Sequence, residues 1–283
     1  MIEPVLSDDA FLANLESAST DPGKLSLWWL GQSGFLAQWE RVRVLFDPYL
    51  SDSLTRKYAN TNKPHVRMSR RVVDPARLRR ITLIAATHGH TDHLDADTLQ
   101  AIRKADLAQS EPWGTGLVAP ARIEKLVDER WGGRADIWMT DYDAKIFGSN
   151  DLVFHAVAAS HGQESDPGTC LGYVVWLGGW VIYHSGDTVV YDGMVERLQK
   201  YSIDVALLPI NGKLNNMNGR EAAQLAKDIG AKLVIPCHYD MFEFNTADPR
   251  EQFIPECKRL GQPYRVLKLG ERLTLEARQS AEK

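Results

Sequence analysis

Short apolar runs, separated by glycine, proline and charged corners, dominate the first third of the chain. Residues 25–30 and 35–39 flank a turn, and residues 42–46 follow a charged corner. This pattern predicts a meander of short antiparallel strands. Residues 81–86 are apolar apart from Thr82, which indicates a strand that is buried on both faces.

The rest of the chain alternates between strand-like and helix-like patterns. Further strands are predicted at residues 135–139, 152–158, 171–177, 180–184, 205–208, 233–235, 264–267 and 272–275. Helices are predicted at residues 95–104, 120–130, 191–200 and 219–229. A meander of strands followed by strands that alternate with helices indicates packed sheets flanked by helices, in the α/β class. Because no stretch resembles a linker, we expect one domain over residues 1–283.

The composition is that of an ordinary globular protein, with 44% hydrophobic and 25% charged residues. The net charge of −4 argues against a polyanion-binding surface. The longest apolar stretch, residues 173–183, is too short to span a bilayer, and no secretory signal is visible. We therefore expect a cytoplasmic protein without a membrane partner. Three cysteines without a CxxC pair argue against a disulfide scaffold.

Three histidines and an aspartate fall within six residues, directly after the strand predicted to be buried. They are His88, His90, Asp92 and His93 in the segment THGHTDHL. Imidazole and carboxylate groups together suit Zn, Mn or Fe. The spacing allows the first two histidines to face one ion while Asp92 and His93 face a second. The alternative is a polar loop in which Asp92 or Asp95 caps a helix, but a cap does not require three histidines.

Three more candidate ligands each follow an apolar, strand-like run. His161 lies where such a run opens into a loop, Asp187 lies in the segment HSGDT, and His238 follows LVIPC. Loops that a rigid α/β scaffold positions at the ends of its strands are where functional residues usually lie. A lone histidine is more often structural, so the shared placement is what makes these three residues candidates.

The pattern HxHxDH, followed by a separate His, Asp and His, resembles the metallo-β-lactamase superfamily. The resemblance extends from about residue 25 to residue 275. It implies an αββα sandwich of two mixed β-sheets flanked by helices, with a metal site at the edge where the two sheets meet. It also implies the ligand sets, which are His88, His90 and His161 for a first ion, Asp92, His93 and His238 for a second, and Asp187 as the bridge.

Flanking segments indicate a branch of that superfamily. True β-lactamases of this fold usually carry Cys at the position of Asp187, and redox diiron members carry Glu at the position of His90, so both are disfavoured. The segments WLGQSGF, DPY, SGDT, LPING and PCHYD resemble the L-ascorbate-6-phosphate lactonase group. This resemblance implies a hydrolase in which a hydroxide that bridges two divalent ions opens a lactone ring. The lactonase group favours Mn, the wider family favours Zn, and Fe also suits these ligands.

Further residues have candidate roles. Asp187 and Asp92 are expected to be catalytic carboxylates as well as ligands. Asn211 and Tyr239 follow buried strands and are candidates to orient the substrate oxygen or to protonate the leaving group, although packing is an equal interpretation for Tyr239. An Asp after an early strand often lies near the metal-binding histidines in this superfamily, so Asp47 is expected to orient a ligand imidazole. A simple turn residue before a proline is nearly as good an interpretation of Asp47.

Residues 56–80 form a basic segment with nine Lys or Arg and a single acid, Asp74. One interpretation is an anion-binding flap, with Arg67, Arg70 and Arg71 holding a phosphorylated sugar acid. The other is a solvated loop followed by the exposed face of a helix. The sequence leaves both interpretations open.

Three functions are compatible with these features. The first is a metal-dependent hydrolase of small molecules, namely a lactonase acting on a sugar-acid lactone. The second is a phosphodiesterase or RNA-processing nuclease of the same fold, against which the negative charge argues, so no nucleic-acid partner is expected. The third is a noncatalytic metal-binding protein, which a complete ligand set disfavours. A homo-oligomer is expected, since eight tryptophans suit such a contact as well as a large core.

Overall fold

Two β-sheets form the centre of the computed structural model, which describes residues 1–108, 114–134, 136–149, 151–161 and 168–276. The strands are β1 (Leu25–Gly31), β2 (Gly34–Trp39), β3 (Val42–Phe46), β4 (Leu83–Ala85), β5 (Gly116–Pro120), β6 (Ile137–Thr140), β7 (Lys145–Ser149), β8 (Leu152–Ala158), β9 (Leu171–Leu177), β10 (Trp180–His184), β11 (Val205–Pro209), β12 (Leu233–Cys237) and β13 (Arg272–Leu275). One sheet has the order β13-β1-β2-β3-β4-β5-β6, and the other has the order β12-β11-β10-β9-β8-β7.

Helices cover the sheets. They are α1 (Asp8–Ala18), α2 (Ser53–Tyr58), α3 (Ala96–Leu107), α4 (Glu124–Trp131), α5 (Met194–Gln199), α6 (Gly219–Asp228) and α7 (Phe253–Leu260). α3 packs beside α4, and α6 packs beside α7 and against β11 and β12. One hydrophobic core contains side chains of both sheets and of the helices. Two mixed sheets flanked by helices confirm the predicted α/β sandwich.

The direction of the strands brings six loops to one edge. β3, β4 and β5 pair in parallel, as do β10, β11 and β12. β8 and β10 both pair antiparallel with β9, so β8 runs in the same direction as β10. The loops that follow β3, β4, β8, β10, β11 and β12 carry all the predicted metal ligands together with Asp47 and Asn211. Because parallel strands end at the same side of a sheet, the candidate residues that follow the strands of each sheet lie at the same edge of that sheet.

The apolar runs predicted most strands because buried strands have few polar positions. Strands β8, β9 and β10 begin and end at the predicted residues. The predicted strand at 264–267 is reduced to an isolated bridge between Val234 and Tyr264, since this segment meets the sheet at one position only. β5, β7 and α7 were not predicted. Residue 135 of the predicted strand at 135–139 lies outside the described residues.

The basic segment is tied to its surroundings. It begins within α2, and its later part forms isolated bridges between Arg67 and Phe242 and between Ile2 and Ser69. The N–H of Met68 also donates to the carbonyl of Met241 at 2.8 Å. Within the part of the chain that the structure covers, no helix has the length and apolar character needed to cross a membrane.

Candidate metal centre

The loop after β4 carries four of the predicted ligands and leads into α3. The N–H of His93 donates to the carbonyl of His90 at 3.1 Å, which closes a tight turn. The cap of α3 is Asp95, whose Oδ2 accepts from the N–H of Thr98 at 3.1 Å. The helix-cap interpretation therefore applies to Asp95 and not to Asp92.

A glycine turn after β10 brings Asp187 towards this loop. Gly186 has a φ of 61°, and a Cβ at this position would lie 2.7 Å from the Cβ of Thr87, so only glycine fits. The N–H of Gly186 donates to Nδ1 of His184 at 3.0 Å. Nε2 of His184 donates to the carbonyl of Ser33 at 2.8 Å. The buried ring of His184 thus fixes the turn that presents Asp187.

His161 and His238 reach the same place from β8 and β12. Nδ1 of His161 lies 3.2 Å from the carbonyl oxygen of Asn215. His238 has a φ of 63°, and its N–H donates to the carbonyl of Gln32 at 3.0 Å. Nε2 of both rings points towards Asp187. The distance to Oδ2 of Asp187 is 3.8 Å from Nε2 of His161 and 3.1 Å from Nε2 of His238.

The predicted ligands form one cluster. Among the described residues, three groups have potential ligand atoms that all lie within 4.8 Å of one another, and they are His88 with His90 and His161, His88 with His93 and Asp187, and Asp92 with His93 and His238. The first and last groups are the two sets implied by the sequence. The middle group contains His88 of the first set and His93 of the second set, together with Asp187.

Asp187 lies between these two sets. Its Oδ2 contacts His161 and His238 at the distances given above, and its Oδ1 lies 3.4 Å from Nε2 of His93. The side chain is almost fully buried. The carboxylate therefore contacts histidines of both sets.

The unpaired polar atoms of the cluster fit a cation. Nε2 of His93 and Oδ1 of Asp187 are buried, and neither has a hydrogen-bond partner of acceptable geometry in the described part of the chain. Nδ1 of His90 lies 2.9 Å from Nε2 of His88 and 3.2 Å from Nε2 of His161. One shared proton cannot satisfy three converging ring nitrogens, whereas a divalent cation accepts a lone pair from each.

Comparison with known proteins agrees with this geometry. The family described as the beta-lactamase superfamily domain matches residues 42–239. The chain belongs to the metallo-β-lactamase superfamily. It is 30% identical over 249 residues to a UPF0173 metal-dependent hydrolase of Opitutus terrae, and this match covers 87% of the chain and 98% of the relative.

Two further proteins resemble this chain over most of its length. A UPF0173 metal-dependent hydrolase of Pyrococcus furiosus is 31% identical over 250 residues, covering 87% of this chain and 97% of that protein. The solved structure of Igni18, a metallo hydrolase of Ignicoccus hospitalis, is 25% identical with a TM-score of 0.67, covering 89% of this chain and 99% of that one. The protein is accordingly a metal-dependent hydrolase of the metallo-β-lactamase superfamily.

The ligand cluster of this hydrolase carries opposing charges. Burial, reinforced by the charge of His93, lowers the pKa of His88 well below its ordinary value. Burial alone would also lower the pKa of His93, but the surrounding carboxylates raise it well above the ordinary value. Burial alone would raise the pKa of Asp187, yet His238 and His93 hold it well below its usual range. His88 is therefore neutral and Asp187 ionised, the states in which both bind metal.

Asp47 supports the cluster from the end of β3. Its Oδ2 accepts from Nδ1 of His93 and from Oγ1 of Thr87, both at 2.7 Å, and its Oδ1 accepts from the N–H of Thr87 at 2.8 Å. With Nδ1 held in this way, His93 presents Nε2 to the cluster. Asp47 also has a φ of 41°, so the turn interpretation and the orienting contact apply together.

Gln32 is a site residue that the sequence interpretation missed. Its Nε2 donates to Oδ2 of Asp92 at 2.8 Å and lies 3.2 Å from Nε2 of His238. The side chain is fully buried, and its φ is 51°. The available signal was a glutamine, next to Ser33, in the glycine-flanked turn between two apolar strands.

Tyr239 and Asn211 both bond to other parts of the protein. The hydroxyl of Tyr239 donates to the carbonyl of Leu267 at 2.9 Å, and its ring stacks on Trp29 with the ring centroids 4.4 Å apart. These contacts are the ones that the packing interpretation of Tyr239 expects. Nδ2 of Asn211 donates to Oδ1 of Asn245 at 2.8 Å, which ties two loops together.

Arg67 binds other parts of the protein. Its side chain is buried, with Nη1 donating to the carbonyl of Ser51 at 2.7 Å and Nε donating to the carbonyl of Ser69 at 3.1 Å. It also lies over the ring of Tyr49, with Cζ 5.3 Å from the ring centroid. Arg67 therefore holds the basic segment in place.

Arg70 faces the start of the chain because Ile2 pairs with the neighbouring residue of the basic segment. Nη1 of Arg70 lies 3.5 Å from Glu3, and Nη2 lies 3.4 Å from Asp8. Arg71 is exposed. The guanidinium groups of Arg67 and Arg70 thus bind other parts of the protein, which gives no support to a clamp of three arginines.

Proposed function

We propose that this metallo-β-lactamase hydrolase holds two divalent ions, Mn or Zn, and opens the ring of a small sugar-acid lactone. The observation that carries the proposal is the convergence of five histidines and two aspartates into two sets joined by Asp187. The resemblance of the flanking segments to the lactonase group supports the choice of a lactone.

The candidate ligands form two ion-binding sets. His88, His90 and His161 would hold one ion, Asp92, His93 and His238 would hold the other, and Asp187 would contact both. Such ions, when bound, polarise a carbonyl oxygen and lower the pKa of water to about 7. Asp187 is ionised and buried, so it offsets part of the charge that two cations bring.

The protein's own nucleophilic groups are poorly placed for an alternative mechanism. Cys237 adjoins His238, but burial raises the pKa of its thiol well above the ordinary value. Its Sγ lies 4.0 Å from Oγ of Ser33, away from solvent. Oγ of Ser185 donates to the carbonyl of Gly186 at 2.8 Å. A hydrolysis that uses water instead of a side-chain nucleophile suits this arrangement.

The contacts of Arg67 and Arg70 bear on whether the substrate needs a phosphate group. Arg67 and Arg70 bind other parts of the chain, so they do not supply a phosphate clamp beside the cluster. The proposal therefore requires a lactone carbonyl and does not require a phosphate group on the sugar acid.

The test is turnover by protein reconstituted with Mn²⁺ or Zn²⁺. Sugar-acid lactones and phosphodiesters are assayed side by side, with acid release as the readout for the lactones. We expect metal-dependent lactone opening that is abolished in His90→Ala. Faster cleavage of phosphodiesters, or no lactone turnover in protein that carries two ions, would overturn the proposal.

A further inference from the structure

The turn between β1 and β2 contacts the ligand cluster with both a backbone and a side-chain group of one residue, Gln32. Its carbonyl oxygen accepts from the N–H of His238 and from Nε1 of Trp29, each at 3.0 Å. Any residue at this position would supply that carbonyl. The side chain is therefore a separate feature that needs its own explanation.

Two other buried glutamines show what a structural amide does in this protein. In Gln38, Nε2 donates to the carbonyl of Glu40 at 2.7 Å and Oε1 accepts from Nε of Arg43 at 3.2 Å. In Gln262, Nε2 donates to the carbonyls of Ala231 and Pro263 at 2.9 and 3.1 Å. Both amides bond to groups outside the ligand cluster.

Gln32 differs from both. Its Nε2 is directed at Asp92 and His238, two candidate ligands of the same ion, and its Oε1 is buried without a hydrogen-bond partner in the described ranges. Burying an amide is unfavourable unless its groups are bonded. A carboxylate only accepts, so the NH₂ end must face Asp92. The unfavourable free energy of burying the Gln32 amide is thus offset only by its contacts with the second ligand set.

We propose that Gln32 is a positioning residue for the second ion: it holds Asp92 in the orientation that binds this ion and so sets the affinity of the second site relative to the first. Among the described residues, the Gln32 side chain makes its hydrogen-bond contacts with Asp92 and His238 and with no residue of the first set. The effect of Gln32 is therefore confined to one of the two ions. The inference rests on the proposed two-ion centre.

The experiment is a metal titration of chelator-treated protein with Mn²⁺ or Zn²⁺, read out by competition with a coloured chelator. Gln32→Met keeps the length of the side chain and removes the N–H donor, and Gln262→Met is the matched control. We expect the second binding step of Gln32→Met to weaken about 10–100-fold, the usual effect of losing a group that orients a ligand. The first step of Gln32→Met, and both steps of the control, stay within about threefold of the unmodified protein.

A double-mutant cycle with Asp92→Asn separates positioning from a general loss of structure. If Gln32 acts through Asp92, Gln32→Met adds no further weakening in the Asp92→Asn background. Additive effects, or a Gln32→Met protein that binds both ions normally, would overturn the role of Gln32 and leave the two-ion centre intact. A single ion in the unmodified protein would overturn both proposals. If Gln32→Met does not fold, Gln32→Leu, which is of similar size and has neither a donor nor an acceptor, replaces it in the same cycle.

Discussion

Oδ2 of Asp47 lies 2.7 Å from Nδ1 of His93, and both side chains are fully buried. The contact joins the ends of β3 and β4, which run in parallel and finish at the same edge of the sheet. A carboxylate at the far nitrogen of a ligand imidazole fixes the tautomer and makes the other nitrogen more basic. The geometry of the second ligand set therefore depends on a residue that is not itself a ligand.

Asp47→Asn should weaken metal binding about 10–100-fold, because an amide keeps the shape but has one acceptor oxygen for three donors. Competition with a chelator measures the change. Asp52→Asn, an exposed acid on the same stretch of chain, is the control and should bind as the unmodified protein does. Equal affinity in Asp47→Asn would show that the contact does not matter for binding.

His90→Ala should abolish turnover while the fold is retained. His90 is exposed on the loop after β4, and exposed substitutions usually change the free energy of unfolding by about 0.5 kcal/mol or less. Circular dichroism and rate measurements separate the two effects. His65→Ala, which removes a histidine that stacks on Tyr58 outside the cluster, should remain active. Normal rates in His90→Ala would exclude His90 from the site.

Asp187→Asn should lower the metal content and reduce kcat strongly. The substitution is nearly isosteric, so packing is preserved, but the neutral amide no longer offsets the charge of histidines and cations around it. Elemental analysis measures the metal content, and steady-state kinetics measure kcat. Two bound ions together with an unchanged rate would contradict the bridging position of Asp187.

His184 should make stability depend on pH. Burial lowers the pKa of His184 from its ordinary value of 6.5, so the unfolded chain binds more protons below pH 6.5. The stabilising effect of the neutral ring is full above about pH 6.5 and is lost as the pH falls through this value, by at most about 1.4 kcal/mol per pH unit.

The variant His184→Gln isolates this dependence. Glutamine can still donate to the carbonyl of Ser33 but does not titrate. We expect the difference in unfolding free energy between the two chelator-treated proteins to shrink as the pH falls from 7 to 5. A difference that stays constant over this range would contradict the neutral, buried ring.

Arg67→Met should destabilise the protein, whereas Arg70→Ala should leave KM for the lactone unchanged. The first change leaves the carbonyls of Ser51 and Ser69 without their donors, and such a loss costs about 1–3 kcal/mol for a buried group. The second change removes weak, exposed ion pairs. Chemical denaturation and steady-state kinetics measure the two outcomes. A large rise in KM for Arg70→Ala would restore the anion-binding interpretation of the basic segment.

The sequence by itself determined the α/β class, with packed sheets flanked by helices, and the set of candidate ligands, since both depend on short-range patterns. Buried strands have continuous apolar runs, as in β8, β9 and β10, and the loop after β4 places four candidate ligands within six residues. His161, Asp187 and His238 were found because each follows such a run. Strands that run in the same direction end at the same edge of the sheet, so these residues lie together.

The tertiary structure alone decided which polar side chains face that edge. Gln32 and His238 are 206 positions apart, and only the meeting of the two sheets brings the β1–β2 turn onto the second ligand set. The same reason explains Tyr239 and Arg67, whose bonds to Leu267 and Ser51 cross between separate segments. A residue's type and its neighbours in the chain set what it can bond to, whereas the packing of distant strands and loops determines the partner it meets.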